Sequence, residues 1–210
     1  MTSTTRRLRG RQPRLSVEDR LLAAMERLVE QGYSFATLTV EELSKEAGIA
    51  RATFYLHFAD KGELVARLMN RLTQEVVGSA GDWFEAKGQS GPQTVKQALT
   101  GIISTFRKHH AILSAVEATR AQDATVARLH QEMMTQLCER SRKALAAVKQ
   151  DTPGGDVPLN MLADVLTWSV EQYCAQVAGQ YDAAQVDAVI NTFAHICNSA
   201  IFSPVVPPGN

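Results

Sequence analysis

The chain has 210 residues, 45% of them hydrophobic, with 22 Lys and Arg balanced by 22 Asp and Glu. That length and apolar content suit one or two globular units with a real core and exclude a disordered polypeptide. The neutral total conceals a split: residues 1–71 carry twelve Lys and Arg against nine Asp and Glu, and residues 72–210 carry ten against thirteen, as in a nucleic-acid-facing module joined to one that avoids nucleic acid.

Residues 1–14 hold Arg6, Arg7, Arg9, Arg11 and Arg14 without an acid, and Gly10 and Pro13 oppose helix formation. The segment reads equally as a solvated tail or as a basic flexible arm that meets DNA phosphates. No apolar run follows Arg6-Arg7, so it is not an export signal. Ser16 with Asp19 opens a first helix whose stripe, Val17, Leu21, Leu22, Met25, Leu28 and Val29, runs up to Gly32. Thr39 and Glu42 then form a capping box, Val40, Leu43 and Ala47 recur at helical spacing, and Gly48 supplies a positive-φ stop. After Ile49 a second helix sets Phe54 and Phe58 on one face and leaves Arg51, Thr53, Tyr55 and His57 largely on the other. This is a helix-turn-helix.

The run TFYLHFADKGELV, preceded by AGIAR, closely resembles the TetR family of bacterial transcriptional repressors, whose signature ends its DNA-reading helix in Tyr-x-x-Phe followed by a short turn and Lys. The likeness covers about residues 15–72, and its Thr-Phe-Tyr form looks most like the branch of ethionamide-activation repressors. Ala50 departs from the family, standing where Ser often caps the reading helix, at a cost of roughly 1 kcal/mol. Glu41 and Glu46 add acid near the expected phosphates. The resemblance implies a DNA-binding surface of Arg51, Ala52, Thr53, Tyr55, Leu56 and His57, with Thr39 and Lys61 on flanking phosphates. Side-chain chemistry agrees, because a phenol can donate to phosphate, an ammonium is a point charge, and Arg51 suits guanine in the major groove.

A connector helix over residues 60–79 is opened by Asp60 and Glu63 as a further capping box and carries Leu64, Leu68, Leu72 and Val76 along one side. Gly78, Gly81, Gly88, Gly91 and Pro92 mark a break around residues 82–87. Helical segments over residues 95–108, 112–120, 125–149, 159–178 and 183–201 bring the count to about nine, with no strand-like alternation and no fixed repeat. The expected fold is all-α: the arm at 1–14, a three-helix DNA-binding domain with the helix-turn-helix at 15–60, and a helical ligand-binding and dimerisation domain at 61–210.

The last two helices carry apolar residues on more than one face: Leu162, Leu166, Val170, Tyr173 and Val177 on one side of the first, Met161, Trp168, Ala175 and Gly179 on the other. The residues alone leave a buried pair and a four-helix dimer interface evenly matched. The resemblance implies the interface, a homodimer contacting through Trp168, Ala175, Val189, Phe193, Ile196 and Ala200, on a pseudo-palindromic double-stranded DNA operator. A small apolar ligand would occupy the C-terminal domain. Phe84, Ile103, Phe106, Leu113, Met134, Trp168 and Tyr173 are candidate pocket residues, although such residues at helical spacing are more often plain core. Asn160, Glu171 and Gln172 could orient a ligand but read first as solvent-exposed.

Cys138, Cys174 and Cys197 lack paired spacing and read as buried apolar thiols. Glu171 interrupts the best candidate membrane span, so a cytoplasmic protein is expected. No phosphate loop, metalloprotease helix or nucleophile elbow is present, and His109 and His110 read as end-of-helix residues, so no catalytic role, metal or cofactor is expected. The alternative to a DNA-binding repressor is an all-helical ligand carrier or interaction module without specific DNA readout.

Overall fold

The computed structural model describes residues 15–85, 91–148, 157–177 and 179–202, and among these there are ten helices and no strand. The basic arm lies outside the described residues. Helix α1 (Val17–Glu30) starts at Ser16, whose hydroxyl accepts from the Asp19 amide while the Asp19 carboxylate bonds back to the Ser16 amide. It buries Leu21, Leu22, Met25 and Leu28 against the helix-turn-helix formed by α2 (Val40–Glu46) and α3 (Arg51–His57).

The turn between α2 and α3 is held in place from α1. Gly48 has φ +62°, the left-handed conformation that ends α2 without a Cβ penalty. A helix end leaves carbonyls without partners, and two arginines of α1 supply them. The Nε of Arg20 donates to the Ala47 carbonyl at 3.0 Å and its Nη2 to that of Gly48, while Arg27 donates to the Glu46 carbonyl at 2.9 Å and pairs with the Glu46 carboxylate. Glu46 is therefore neutralised within the protein instead of standing as free acid beside DNA.

Helix α4 (Lys61–Ser79) is capped by Asp60, which accepts from the Glu63 amide at 2.8 Å. The expected reciprocal bond is displaced by one residue, the Glu63 carboxylate accepting from the Ala59 amide. The next helix, α5 (Asp82–Glu85), is a single turn and brings the number to ten instead of nine. The body is completed by α6 (Pro92–Lys108), α7 (His110–Thr119), α8 (Ala124–Val148), α9 (Leu159–Val177) and α10 (Ala183–Phe202). Side chains of α4 pack on α6, α7 and α8, α1 packs on α7, and one continuous core joins the N-terminal unit to the rest.

Charges stitch the same elements. Arg67 and Arg71 of α4 reach Glu18 and Asp19 of α1, and Glu75 of α4 meets Arg71, Lys108 and the buried His109, the last at 2.7 Å. Burial pushes the Glu75 carboxyl up, but hydrogen bonds from His109, Lys108 and Arg71 outweigh it and bring its pKa down to about 2. The three cysteines are buried and free, and desolvation raises their thiols to about 11 for Cys138 and Cys197 and about 12 for Cys174, which keeps them as small apolar groups. No described helix is long and apolar enough to cross a membrane.

Candidate nucleic-acid interface and ligand cavity

Helix α3 is anchored from beneath. Phe54 and Phe58 are fully buried with ring centroids 5.3 Å apart, packed into a core shared with Phe35, Leu38 and Leu43. Fixing that face turns Arg51, Ala52, Tyr55, Leu56 and His57 outward, with Thr53 half-buried among them. Leu56 is 84% exposed, an apolar side chain left uncovered among the described residues and of a shape suited to a thymine methyl. The Arg51 guanidinium lies over the Tyr55 ring, 5.6 Å from its centroid. Ala50 makes no side-chain cap, and it meets the first turn of α3 through its backbone alone, its carbonyl accepting from the Thr53 amide at 2.9 Å.

The two flanking residues are placed differently from the sequence expectation. Lys61 turns inward: its ammonium donates to the carbonyls of Phe35, Ala36 and Leu38 at 3.0, 3.2 and 2.5 Å and sits 5.0 Å from the Phe35 ring centroid. Three donors on three carbonyls leave none for a phosphate, so Lys61 braces the turn that leads into α2. Burial lowers its pKa, against the pull of Glu42. Thr39 is exposed, but its hydroxyl and amide are both engaged by the Glu42 carboxylate in the α2 cap.

In the body, α5, α6, α8, α9 and α10 line a partly open cavity of about 80 Å³. Its wall is apolar, built from residues such as Trp83, Phe84, Leu99, Phe106, Leu137 and Leu166, with Ser141, Thr167 and Glu171 as the polar members. Of the residues expected from sequence, Phe84 and Phe106 line it. Ile103 and Tyr173 line a smaller neighbouring crevice with Val186 and Val189, Leu113 and Met134 are buried core outside the wall, and Trp168 packs edge-on at 6.0 Å from the His130 ring.

Glu171 overturns its expected exposure. It is 2% exposed, and its Oε1 lies 3.0 Å from Nε2 of His130, itself 4% exposed, on α8. The Glu171 Oε2 is buried without a partner. Thr167, one turn earlier on α9, donates to Ser141 of α8 at 2.9 Å, so the two helices are linked by polar contacts along the cavity. Neither His130 nor the cavity role of Trp83, Ser141 and Thr167 was read from sequence. The available signal was the one acid within the mostly apolar stretch 165–177, four residues from Thr167.

The outer face of α9 and α10 is open. Met161 and Val165 are each 60% exposed, and Ile196, 45% exposed, lines a groove with Tyr173, Tyr181, Val189 and Phe193. Of the six expected interface residues, Ile196 is exposed while Trp168, Ala175, Val189, Phe193 and Ala200 are half-buried. Phe193 packs edge-on against Tyr173 at 5.5 Å.

A helix-turn-helix with an outward reading helix, joined through α4 to a helical body that holds an apolar cavity, is the build of a DNA-binding transcriptional regulator. A family model of bacterial regulatory proteins of the tetR family matches residues 21–68, and the model of the C-terminal domain of the transcriptional regulator EthR matches residues 95–203. The HTH-type transcriptional regulator EthR of Mycobacterium tuberculosis (strain ATCC 25618 / H37Rv) is 29% identical over 205 residues, spanning 92% of this chain and 93% of that protein. EthR of Mycolicibacterium smegmatis is 25% identical over 206 residues, spanning 95% and 94%. In fold, the chain is similar to a TetR-like regulator from Rhodococcus sp. RHA1 (TM-score 0.65, 23% identity, 90% and 98% of the two chains) and to the fatty acid degradation regulator FadR from Bacillus halodurans (TM-score 0.72, 12% identity, 91% and 99%). The chain belongs to the TetR family of transcriptional regulators and carries an EthR-type C-terminal domain, and the proteins it resembles are regulators, not enzymes.

Proposed function

We propose that the protein is a cytoplasmic, homodimeric repressor that holds a pseudo-palindromic operator through α3 and releases it when a small apolar molecule enters the cavity between α5, α6, α8, α9 and α10. The observation that carries this reading is α4, which joins the reading unit through Lys61 on the carbonyls before α2 and Arg67 over the Phe58 ring, while its length packs on α6 and α8, two walls of the cavity. Arg51, Ala52, Thr53, Tyr55, Leu56 and His57 meet the DNA, Arg51 and Leu56 towards bases and Tyr55 towards the backbone. The open face of α9 and α10 pairs with its copy about a two-fold axis, which presents α3 twice and requires inversely repeated half-sites.

A cavity of about 80 Å³ is smaller than an elongated ligand needs, so binding must part its walls. That requirement is what couples occupancy to the position of α4. A ligand that prefers the parted shape by about 1–3 kcal/mol weakens operator binding about 5- to 150-fold. The test is a mobility shift on the protein's own upstream DNA, with non-specific competitor, repeated with apolar compounds that change Trp fluorescence. A specific shift lost on adding such a compound supports the reading. Tight binding of the compound with unchanged operator affinity overturns ligand release.

A further inference from the structure

The cavity wall contains one feature that an apolar pocket does not need. Glu171 is almost completely buried, its Oε1 is occupied by His130, and its Oε2 has no hydrogen-bond partner while the residue lines the cavity. With Oε1 bonded to Nε2 of His130, the remaining oxygen is an unpaired acceptor just beneath the surface of a space whose other lining is almost wholly hydrocarbon. A buried polar atom is destabilising until something bonds to it, so a fold that keeps one at a cavity wall keeps a point of attachment.

We propose that Glu171 selects the occupant of this cavity, which is an apolar molecule carrying a hydrogen-bond donor, such as a hydroxyl or amide N–H, and not a fatty carboxylate. The inference rests on the ligand-site reading above and adds the chemistry of the head group. The apolar body of the ligand lies against Trp83, Phe84, Phe106 and Leu137, and its donor reaches Oε2 on α9. His130 is a positioning residue: it fixes the carboxyl from α8 and does not itself line the cavity. A carboxylate ligand brings acceptors and no donor for Oε2, which leaves that oxygen unpaired in an apolar surround and disfavours it. The nearby thiol of Cys197 offers no covalent alternative, because burial raises it to about 11 and so disfavours the nucleophilic thiolate.

The experiment titrates the full-length protein with octan-1-ol, 1-chlorooctane and octanoate, which share a chain and differ in donor and charge, and follows intrinsic fluorescence, Trp83 being part of the wall. Octan-1-ol is expected to bind about tenfold more tightly than 1-chlorooctane, with octanoate weakest. In Glu171→Leu the alcohol and the chloride should become equal. Glu171→Gln keeps an oxygen for His130 and turns an amide donor to the cavity, so octanoate should bind it better than it binds the wild type; this variant carries the test if Glu171→Leu fails to fold. Equal binding of alcohol and chloride to the wild type overturns the role of Glu171 while leaving the ligand site standing. Failure of all three probes to bind removes both.

Discussion

Lys61 separates two roles that give opposite results when the side chain is neutralised. Its ammonium holds the Phe35, Ala36 and Leu38 carbonyls just before α2, where Thr37 and Leu38 also bond back to the Ser34 carbonyl. Hydrogen bonds to a charged group contribute roughly 1.5–3 kcal/mol each when measured singly. Three bonds from one half-buried ammonium are not additive, and its desolvation opposes them, so Lys61→Met should cost about 2–3 kcal/mol of stability. Urea denaturation of the full-length protein reads that loss as a lower midpoint at constant slope. Operator binding measured over a range of salt should show a weaker complex with the same dependence of log K on log salt, because no phosphate contact has been removed. A salt slope reduced by about one, with stability changed by less than about 0.5 kcal/mol, would refute the bracing role and restore Lys61 to the phosphates.

Arg51→Ala should relax preference at one base pair and cost roughly 1–3 kcal/mol in operator binding, measured with operators substituted position by position; a uniform loss over all of them would place Arg51 on the backbone instead. Ile196→Glu puts a charge on an exposed side chain, so circular dichroism should be unchanged while sedimentation shows the dimer dissociated; a wild type that is monomeric at micromolar concentration sinks the interface. Glu75 has a folded pKa of about 2 against 4.5 when free, so the folded state binds fewer protons and its contribution is complete above about pH 4.5 and lost on acidification towards about pH 2. That contribution is on the order of 1–2 kcal/mol after solvent screening, and the pH dependence of Tm in that window should be shallower in Glu75→Gln; identical profiles would contradict it. Gly62→Ala would set a Cβ 2.0 Å from Oδ2 of Asp123 and should destabilise by about 1–3 kcal/mol, with Asp123→Ser restoring much of the loss; an innocuous Gly62→Ala would mean that α8 yields freely at that contact.

What could be read from the sequence was local. The caps at Ser16 and Thr39 and the positive φ at Gly48 depend on residues three or four apart, and the structure places them as the spacing predicts. Phe54 and Phe58 likewise lie beneath α3 because an i, i+4 aromatic pair can bury only one face. Helical spacing cannot say which buried face borders a void, so Phe84 and Phe106 line the cavity whereas Leu113 and Met134, equally apolar, are core. A long cation is also ambiguous, since the stem of Lys61 can carry its head outward to phosphate or inward to carbonyls. Glu171 was least legible: a lone acid reads as exposed, and the partner that permits its burial, His130, is 41 residues away on another helix.

The contacts that sequence could not place are the ones that give a route from cavity to DNA. Helix α8 supplies Leu137, Ser141 and Leu145 to the cavity wall, and its first turn is capped by Asp123, whose Oδ1 accepts from the amides of Thr125 and Val126. The other oxygen of that carboxylate lies against Gly62, where a side chain of any size would collide. Gly62 follows Lys61, whose ammonium braces the turn into α2, and α2 in turn carries α3. A displacement of α8 by an occupant therefore bears on the first turn of α4 and, through Lys61, on the entry to the reading unit. Close packing makes these contacts shift together instead of deforming one by one. Contiguity supplies only the path; under the proposed release the energy would come from the ligand's preference for the parted cavity, and a donor bonded to Glu171 from within the cavity would raise that preference only to the extent that the bond forms better in the parted state.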